Sequence, residues 1–171
     1  VLATRHLPLR KVADALPPAA IVEAVEMLAR ALPWMGFKRA RIGVCALNPH
    51  AGDGGALGDE ERTVIAPALA QCRRRGFHVT GPVPADAIFH QHLAGKFDAV
   101  VAMYHDQGLG PLKMLSFADG VNLTLGLPII RTSPDHGTAY DLAGKNRADP
   151  ASLRAALAWA ARLAARKNPW A

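Results

Sequence analysis

Cysteine is scarce: 171 residues carry two, Cys45 and Cys72, far apart and in no CxxC pair. A disulfide framework, a zinc ribbon and a dithiol redox motif are therefore excluded. Cys45 sits in the apolar run "IGVCA" and reads as a small core residue, which suits a reducing compartment. Aromatics make up 6% of the chain. No strand interleaves them with basic residues and no zinc-finger spacing occurs, so a nucleic-acid partner is not expected. The longest apolar runs, such as "AVVAMY" (99–104), fall far short of the roughly 20 residues a membrane helix needs. The opening "VLATRHLPLR" lacks the charged-then-apolar order of a signal peptide. A cytoplasmic protein without a membrane partner is the expectation. Two phosphate-binding fingerprints are also missing. In "GDGGALG" (52–58), Gly52 and Gly54 fit GxGxxG, but the third glycine would fall on Leu57. No Gly-Lys-Ser/Thr ending makes a Walker loop.

Half of the residues are hydrophobic, enough for a sizeable core in one domain, or in one domain and a piece of another. The net charge is +6. The excess comes from "RRR" (73–75) and from Arg154, Arg162, Arg166 and Lys167. "RRR" stands just before Gly76, where it would close a helix and complement the helix dipole. An anionic small substrate would also suit the surplus.

Short apolar runs alternate with helical patterns. Strands are expected at 1–4 ("VLAT"), 41–47, 77–81, 98–104 and 121–126, with a further candidate at 128–131 ("PIIR"). Helices are expected at about 19–32, 58–75, 84–94 and 150–167. In the first, Ile21, Val25, Leu28 and Leu32 form one apolar stripe, with Glu23, Glu26 and Arg30 pointing away. The second opens with Asp59-Glu60-Glu61, as a helix N-terminus prefers. Asp86 is placed to cap the third. The last has Asp149 as cap and Pro150 in its first turn. Continuous apolar strands alternating with helices imply an α/β sheet covered on both faces.

Three histidines share one kind of position. His6 follows "VLATR", His50 follows "IGVCALNP" and His105 follows "AVVAMY", each just past the C-terminal end of an expected strand. Ligands bind outside those ends in open α/β sheets, and three imidazoles converging there would suit Zn²⁺ or a similar divalent ion. No pair has a helical HxxxH spacing, so ordinary loop histidines remain the alternative. His78, His90 and His92 lack this placement and read as surface or packing residues. "MYHDQGLGPLK" (103–113) brings His, Asp, Gln and Lys together. Lys113 follows His105 by eight positions, about two turns if the segment is helical, and could hold a carboxylate or phosphate. The polar stretch "IIRTSPDHGTAYDLAGKNRADP" (129–150) is denser in functional groups than packing requires.

Read together, "HLPL", "LNPHAGDGG", "GPVPAD", "AMYHDQGLGPLK" and "VNLTLGLPIIRTSPDHGTAYDLAG" resemble the 4-hydroxythreonine-4-phosphate dehydrogenase family of pyridoxal phosphate biosynthesis. Residues 136–150 also resemble the β-decarboxylating dehydrogenases of the isocitrate and isopropylmalate type. The resemblance implies a three-layer αβα fold of that type and a homodimer with its active site at the subunit interface. It implies NAD and a divalent metal (Zn²⁺, Mg²⁺ or Co²⁺) as cofactors. By the same resemblance His6, His50 and His105 are the metal ligands, and Asp86 is an acid near the metal. Lys113, Asn122 and Arg131 bind a phosphorylated substrate, and His136, Gly137, Thr138 and Asp141 lie where relatives hold the adenosine half of NAD. No general base is assigned. Asp53 stands where the family usually has Glu. Asn146 replaces a frequent Gly, and Asn tolerates the left-handed turn this position needs. The family's N-terminal motifs are not matched, so the chain is expected to be the C-terminal half of such an enzyme. Residues 1–118 would form most of the metal-binding, dimerising domain, and 119–171 a segment returning to the first domain. The implied reaction is NAD-dependent oxidation and decarboxylation of 4-phosphooxy-L-threonine to 3-amino-2-oxopropyl phosphate. Two alternatives are a paralogue acting on a phosphorylated four-carbon acid or a cis-diol, and a non-catalytic metal- or phosphate-binding module. "DHGTAYDLAG" argues against a third, a metal-dependent hydrolase.

Overall fold

A computed structural model describes all 171 residues, Val1–Ala171. The chain divides into two compact units, Val1–Pro111 and Leu112–Ala171. The division falls a few residues ahead of the 118/119 boundary expected from the motifs.

The first unit is built on a parallel sheet of order β2-β1-β3, with β1 at Ile42–Cys45, β2 at Val79–Val83 and β3 at Ala99–Val101. All four residues of β1 are buried, because helices cover both faces of the sheet. Side chains alternate between those faces. Ile42 and Val44 pack with Ile21, Val25, Leu28 and Leu32 of α1 (Pro18–Met35) and with Leu69 and Cys72 of α2 (Ala66–Arg74). Cys45 turns the other way, onto Ile88 of α3 (Ala85–Leu93) and Phe97. Gly43 shares that second face; a Cβ there would sit 2.8 Å from the Phe97 ring. The result is the expected α/β architecture, a parallel sheet between helical layers.

The helix ends follow from local chemistry. Pro18 opens α1, and Gly36 closes it at φ 106°, a conformation that costs glycine little. The basic "RRR" run does close α2, with Gly76 at φ 86° after it. Arg75 pairs with Glu26 of α1, so Glu26 does not simply point into solvent as its position on the helix suggested.

Several boundaries differ from the sequence reading. "VLAT" contributes an isolated parallel bridge, Leu2 to Ala102, rather than a full strand. The second helix starts as a π turn, Glu61–Ile65, before becoming α-helical. Of "PIIR" only Arg131 is in a strand, where it opens β5 (Arg131–Pro134). The N-cap of α3 is Pro84, and no side-chain hydrogen bond caps that helix. Asp86 therefore sits in the first turn without the capping role assigned to it. The segment after β3 is helical: α4 runs His105–Leu115.

In the second unit β4 (Val121–Thr124) and β5 form an antiparallel hairpin. Thr132 Oγ1 donates to the Ala156 carbonyl of α5 (Ala151–Ala164) at 2.9 Å. Buried Ser152 accepts from the Asp135 N–H at 3.2 Å and donates to the Gly120 carbonyl at 2.7 Å. Asp149 Oδ1 accepts from the Ala151 N–H at 2.9 Å, which satisfies one free donor of the first turn. Pro150 takes the cap position just before that turn. Asn146 adopts φ 51°, the left-handed turn anticipated for it.

Candidate functional site

The three singled-out histidines lie on one edge of the first unit. His6 follows the bridge at Leu2, His105 follows β3 and His50 follows β1, and these chain segments are neighbours in the order Leu2–β3–β1. The edge is the C-terminal one, where a parallel sheet gathers its ligand-binding loops. The His6 and His105 rings approach to 5.4 Å between centroids, tilted by 43°. Two imidazoles bound to one tetrahedral ion at Zn–N distances of about 2.0–2.1 Å have centroids roughly 5 Å apart. The pair thus has the spacing of co-ligands. Behind it, His105 Nδ1 lies 2.8 Å from Asp106 Oδ1. A carboxylate on one ring nitrogen fixes the tautomer and leaves Nε2 free to ligate. His50 is exposed on the adjacent loop, and no three His, Cys, Asp or Glu side chains converge tightly enough within the chain to hold an ion. Asp86 is exposed at the start of α3, just past the end of β2 on the same edge.

The loop carrying His50 has an unusual backbone. From His50 to Gly54 every φ is positive, between 44° and 79°. His50, Ala51 and Asp53 bear side chains there, in a conformation that costs an L-residue roughly 1–2 kcal/mol. Such strain persists only where surrounding contacts over-determine it. The contacts come from Glu61, which is 6% exposed. Its Oε1 accepts from the Leu47 N–H at 2.8 Å and the Asn48 N–H at 2.7 Å, and its Oε2 accepts from Asn48 Nδ2 at 2.9 Å. Burial alone would raise the Glu61 carboxyl pKa. The hydrogen bonds from Asn48 and Leu47 together outweigh it and hold the pKa below the usual range. Gly52 and Gly58 leave room for this clamp. A Cβ on Gly52 would lie 2.8 Å from Glu61 Oε2, and one on Gly58 would lie 2.4 Å from Asn48 Nδ2.

In the second unit the hairpin register sets Thr124 opposite Arg131 and Asn122 opposite Ser133. Directly paired residues share a face, as do residues two apart. Asn122 and Arg131 therefore project from the same face, opposite to the one that bonds α5 through Thr132. Arg131 donates to Thr124 Oγ1 at 2.9 Å and stays exposed. Lys113 is held by Asp135: its Nζ lies 2.8 Å from Oδ2 and also donates to the Asp135 carbonyl. His136, Gly137, Thr138 and Asp141 lie on an exposed loop after β5, with Ala139 at φ 47°.

A shallow groove lined by Arg41, His78, Thr80, Lys96 and Phe97 opens at the N-terminal edge of the sheet. Arg41 there is spent on a two-point pairing with Asp98, at 2.8 and 3.0 Å. His6, His50, His105 and Asp86 lie at the other edge, past the C-terminal ends of the strands. Asp106, Glu61 and Asp135 carry no functional role in the sequence reading. Asp106 and Asp135 stand beside assigned residues, which could have drawn attention to them. Glu61 looks like one of three acids opening a helix, and only the fold shows that it turns back under the loop.

A parallel sheet with buried strands between helical layers, and histidines on the segments that leave its C-terminal edge, place the chain among open-sheet α/β proteins. Residues 1–160 match the family model described as "Pyridoxal phosphate biosynthetic protein PdxA", and the chain belongs to that family. It is 52% identical over 166 residues to a protein of Bradyrhizobium diazoefficiens named 4-hydroxythreonine-4-phosphate dehydrogenase, covering 96% of this chain and 48% of that one. A protein of the same name from Aromatoleum aromaticum is 57% identical over 157 residues, covering 91% and 48%. The crystal structure of the Klebsiella pneumoniae 4-hydroxythreonine-4-phosphate dehydrogenase superposes with a TM-score of 0.86 at 45% identity, over 95% of this chain and 49% of that one. A terephthalate 1,2-cis-dihydrodiol dehydrogenase from Burkholderia xenovorans gives 0.76 at 32% identity, over 95% and 52%. The chain thus spans about half the length of the relatives it matches.

Proposed function

We propose that this chain forms part of an NAD-dependent, metal-assisted dehydrogenase acting on 4-hydroxythreonine 4-phosphate in pyridoxal phosphate biosynthesis. The observation that carries the reading is the His6–His105 pair at the C-terminal edge, with Asp106 on the back of His105. The donor set suits a borderline divalent ion, and the ring spacing fits one. His6 and His105 would hold that metal, with His50 as the further imidazole. A homodimer that shares the site between copies accounts for a ligand set that one chain does not close. Bound at this edge, metal and NAD would supply a Lewis acid and a hydride acceptor.

The chain's own residues do the rest. Asp106 orients His105 and keeps its free nitrogen outward. Lys113, Asn122 and Arg131 anchor the anionic substrate, and binding energy spent there positions the reacting carbon. The loop His136, Gly137, Thr138 and Asp141 is the proposed contact for the adenosine half of NAD. In the overall reaction the substrate loses a hydride from the carbon bearing its secondary hydroxyl, and the hydroxyl proton leaves. The resulting β-keto acid loses CO₂ and takes up a proton to give 3-amino-2-oxopropyl phosphate.

A second reading is favoured by the likeness to the cis-dihydrodiol dehydrogenase: the same scaffold oxidising a cis-diol or a phosphorylated four-carbon acid. The higher identity to the phosphate-substrate enzymes and the exposed cation Arg131 favour the first. The test is NADH formation by the intact protein, with added divalent metal, on each substrate in turn. Turnover of the phosphorylated amino acid that disappears with chelator supports the proposal. Turnover of a cis-dihydrodiol alone supports the second reading, and no NAD reduction with any of them would refute both.

A further inference from the structure

Buried polar side chains are costly unless hydrogen-bonded, so their placement is informative. The first unit buries three: Thr4, Glu61 and Gln107. All three lie at the sheet edge that carries the histidines. Thr4, two residues before His6, donates its hydroxyl to the Met103 carbonyl at 2.7 Å, two residues before His105. Gln107 accepts from the Met103 N–H at 2.6 Å and donates to the Ala46 carbonyl at 2.7 Å. Glu61 takes the next two donors along that strand end, Leu47 and Asn48. The bonds form one continuous chain, Thr4–Met103–Gln107–Ala46–Leu47/Asn48–Glu61. It crosses all three segments just before they release His6, His105 and His50.

We infer that Thr4, Glu61 and Gln107 are positioning residues that set the three histidines for ligand binding. The inference rests on the proposed metal role of those histidines. Regular ladder pairing stops at these strand ends, and their backbone groups would otherwise be satisfied by water in several arrangements. Buried side chains that bond these groups, Thr4 once and Gln107 and Glu61 at two or more points, allow one arrangement. Gly52 and Gly58, which cannot gain a Cβ without striking Glu61 or Asn48, and the π turn that begins at Glu61 keep the clamp closed around the strained His50 loop. None of the three touches a ligand itself; each acts through the backbone beneath a histidine.

The test uses Glu61→Gln and Thr4→Val, both close in shape to the native residue, in the intact protein loaded with Co²⁺. Three quantities are read: the Co²⁺ dissociation constant by chelator competition, the visible Co²⁺ absorption band, and the melting temperature without metal. Each variant should bind Co²⁺ about ten- to a hundredfold more weakly, as loss of supporting contacts around metal ligands does elsewhere. The band should shift, because ligand orientation changes. A lower melting temperature with unchanged Co²⁺ affinity and band in both variants would show a merely structural role and overturn the inference alone. Failure of the unsubstituted protein to bind Co²⁺ would overturn the metal reading, and this inference with it. Should Glu61→Gln fail to fold, Thr4→Val decides the same question from the opposite end of the chain of bonds.

Discussion

Replacing Gly52 with alanine probes the His50 loop where conformation and space coincide. At φ 79° an added Cβ costs roughly 1–2 kcal/mol from left-handed backbone strain. The same Cβ would stand 2.8 Å from Glu61 Oε2 and 2.9 Å from the Gly58 carbonyl oxygen, so the carboxylate must retreat. Retreat weakens at least one hydrogen bond to a charged group, worth about 1.5–3 kcal/mol. The two effects together predict a loss of about 2.5–5 kcal/mol. Gly54 is the control. Its φ is 66° and a Cβ added there would meet nothing within 4 Å, so Gly54→Ala should cost about 1–2 kcal/mol, the conformational part alone. Urea unfolding of both variants, with unchanged slope, reads the difference. Equal losses for the two would refute the idea that Glu61 closes on the loop at Gly52.

Other consequences can be measured independently. Because the Glu61 carboxyl is held below its unfolded value of about 4.3, its stabilisation is complete above that pH and is lost as pH falls through the lowered value. Glu61→Gln should therefore flatten the acid limb of a stability–pH curve; an unchanged limb would contradict the clamp. Lys113→Met or Arg131→Met should raise KM for phosphorylated substrate about ten- to a hundredfold, and more than KM for NAD; equal effects on both would make these residues structural. Burial pushes the Cys45 thiol up to about 12, so a thiol reagent at pH 8 should leave it unmodified until the protein unfolds. Fast labelling of the native protein would contradict its place in the core.

The apolar runs revealed the sheet because β1 is buried on both faces, and such strands read as unbroken hydrophobic segments. The strand-end address of His50 and His105 was legible for the same reason, since each histidine closely follows an apolar run that forms a strand of the sheet; His6 follows only a bridge. Less was legible where tertiary contacts outrank local pattern. Asp59-Glu60-Glu61 looks like any acidic helix start, yet Glu61 folds back under the preceding loop while Asp59 pairs with Arg62 on the surface. "VLAT" has strand composition, but the register offers it only a bridge at Leu2 and backbone bonds to Ala102 and Met103. Asp86 has the composition of a cap, but Pro84 holds the cap position. Asp135 could not be linked to Lys113 from spacing, since the hairpin and its connections bring them together.

The proposed function depends on the strand-end histidines holding a metal. The most direct measurement is anomalous scattering from crystals of the intact protein grown with Co²⁺, recorded at the cobalt edge. One strong peak per site is expected at about 2.0–2.2 Å from a ring nitrogen of both His6 and His105, with His50 as a further ligand, and none after His105→Ala. Absence of a peak at this edge, or a peak bound elsewhere that persists in the variant, would contradict it.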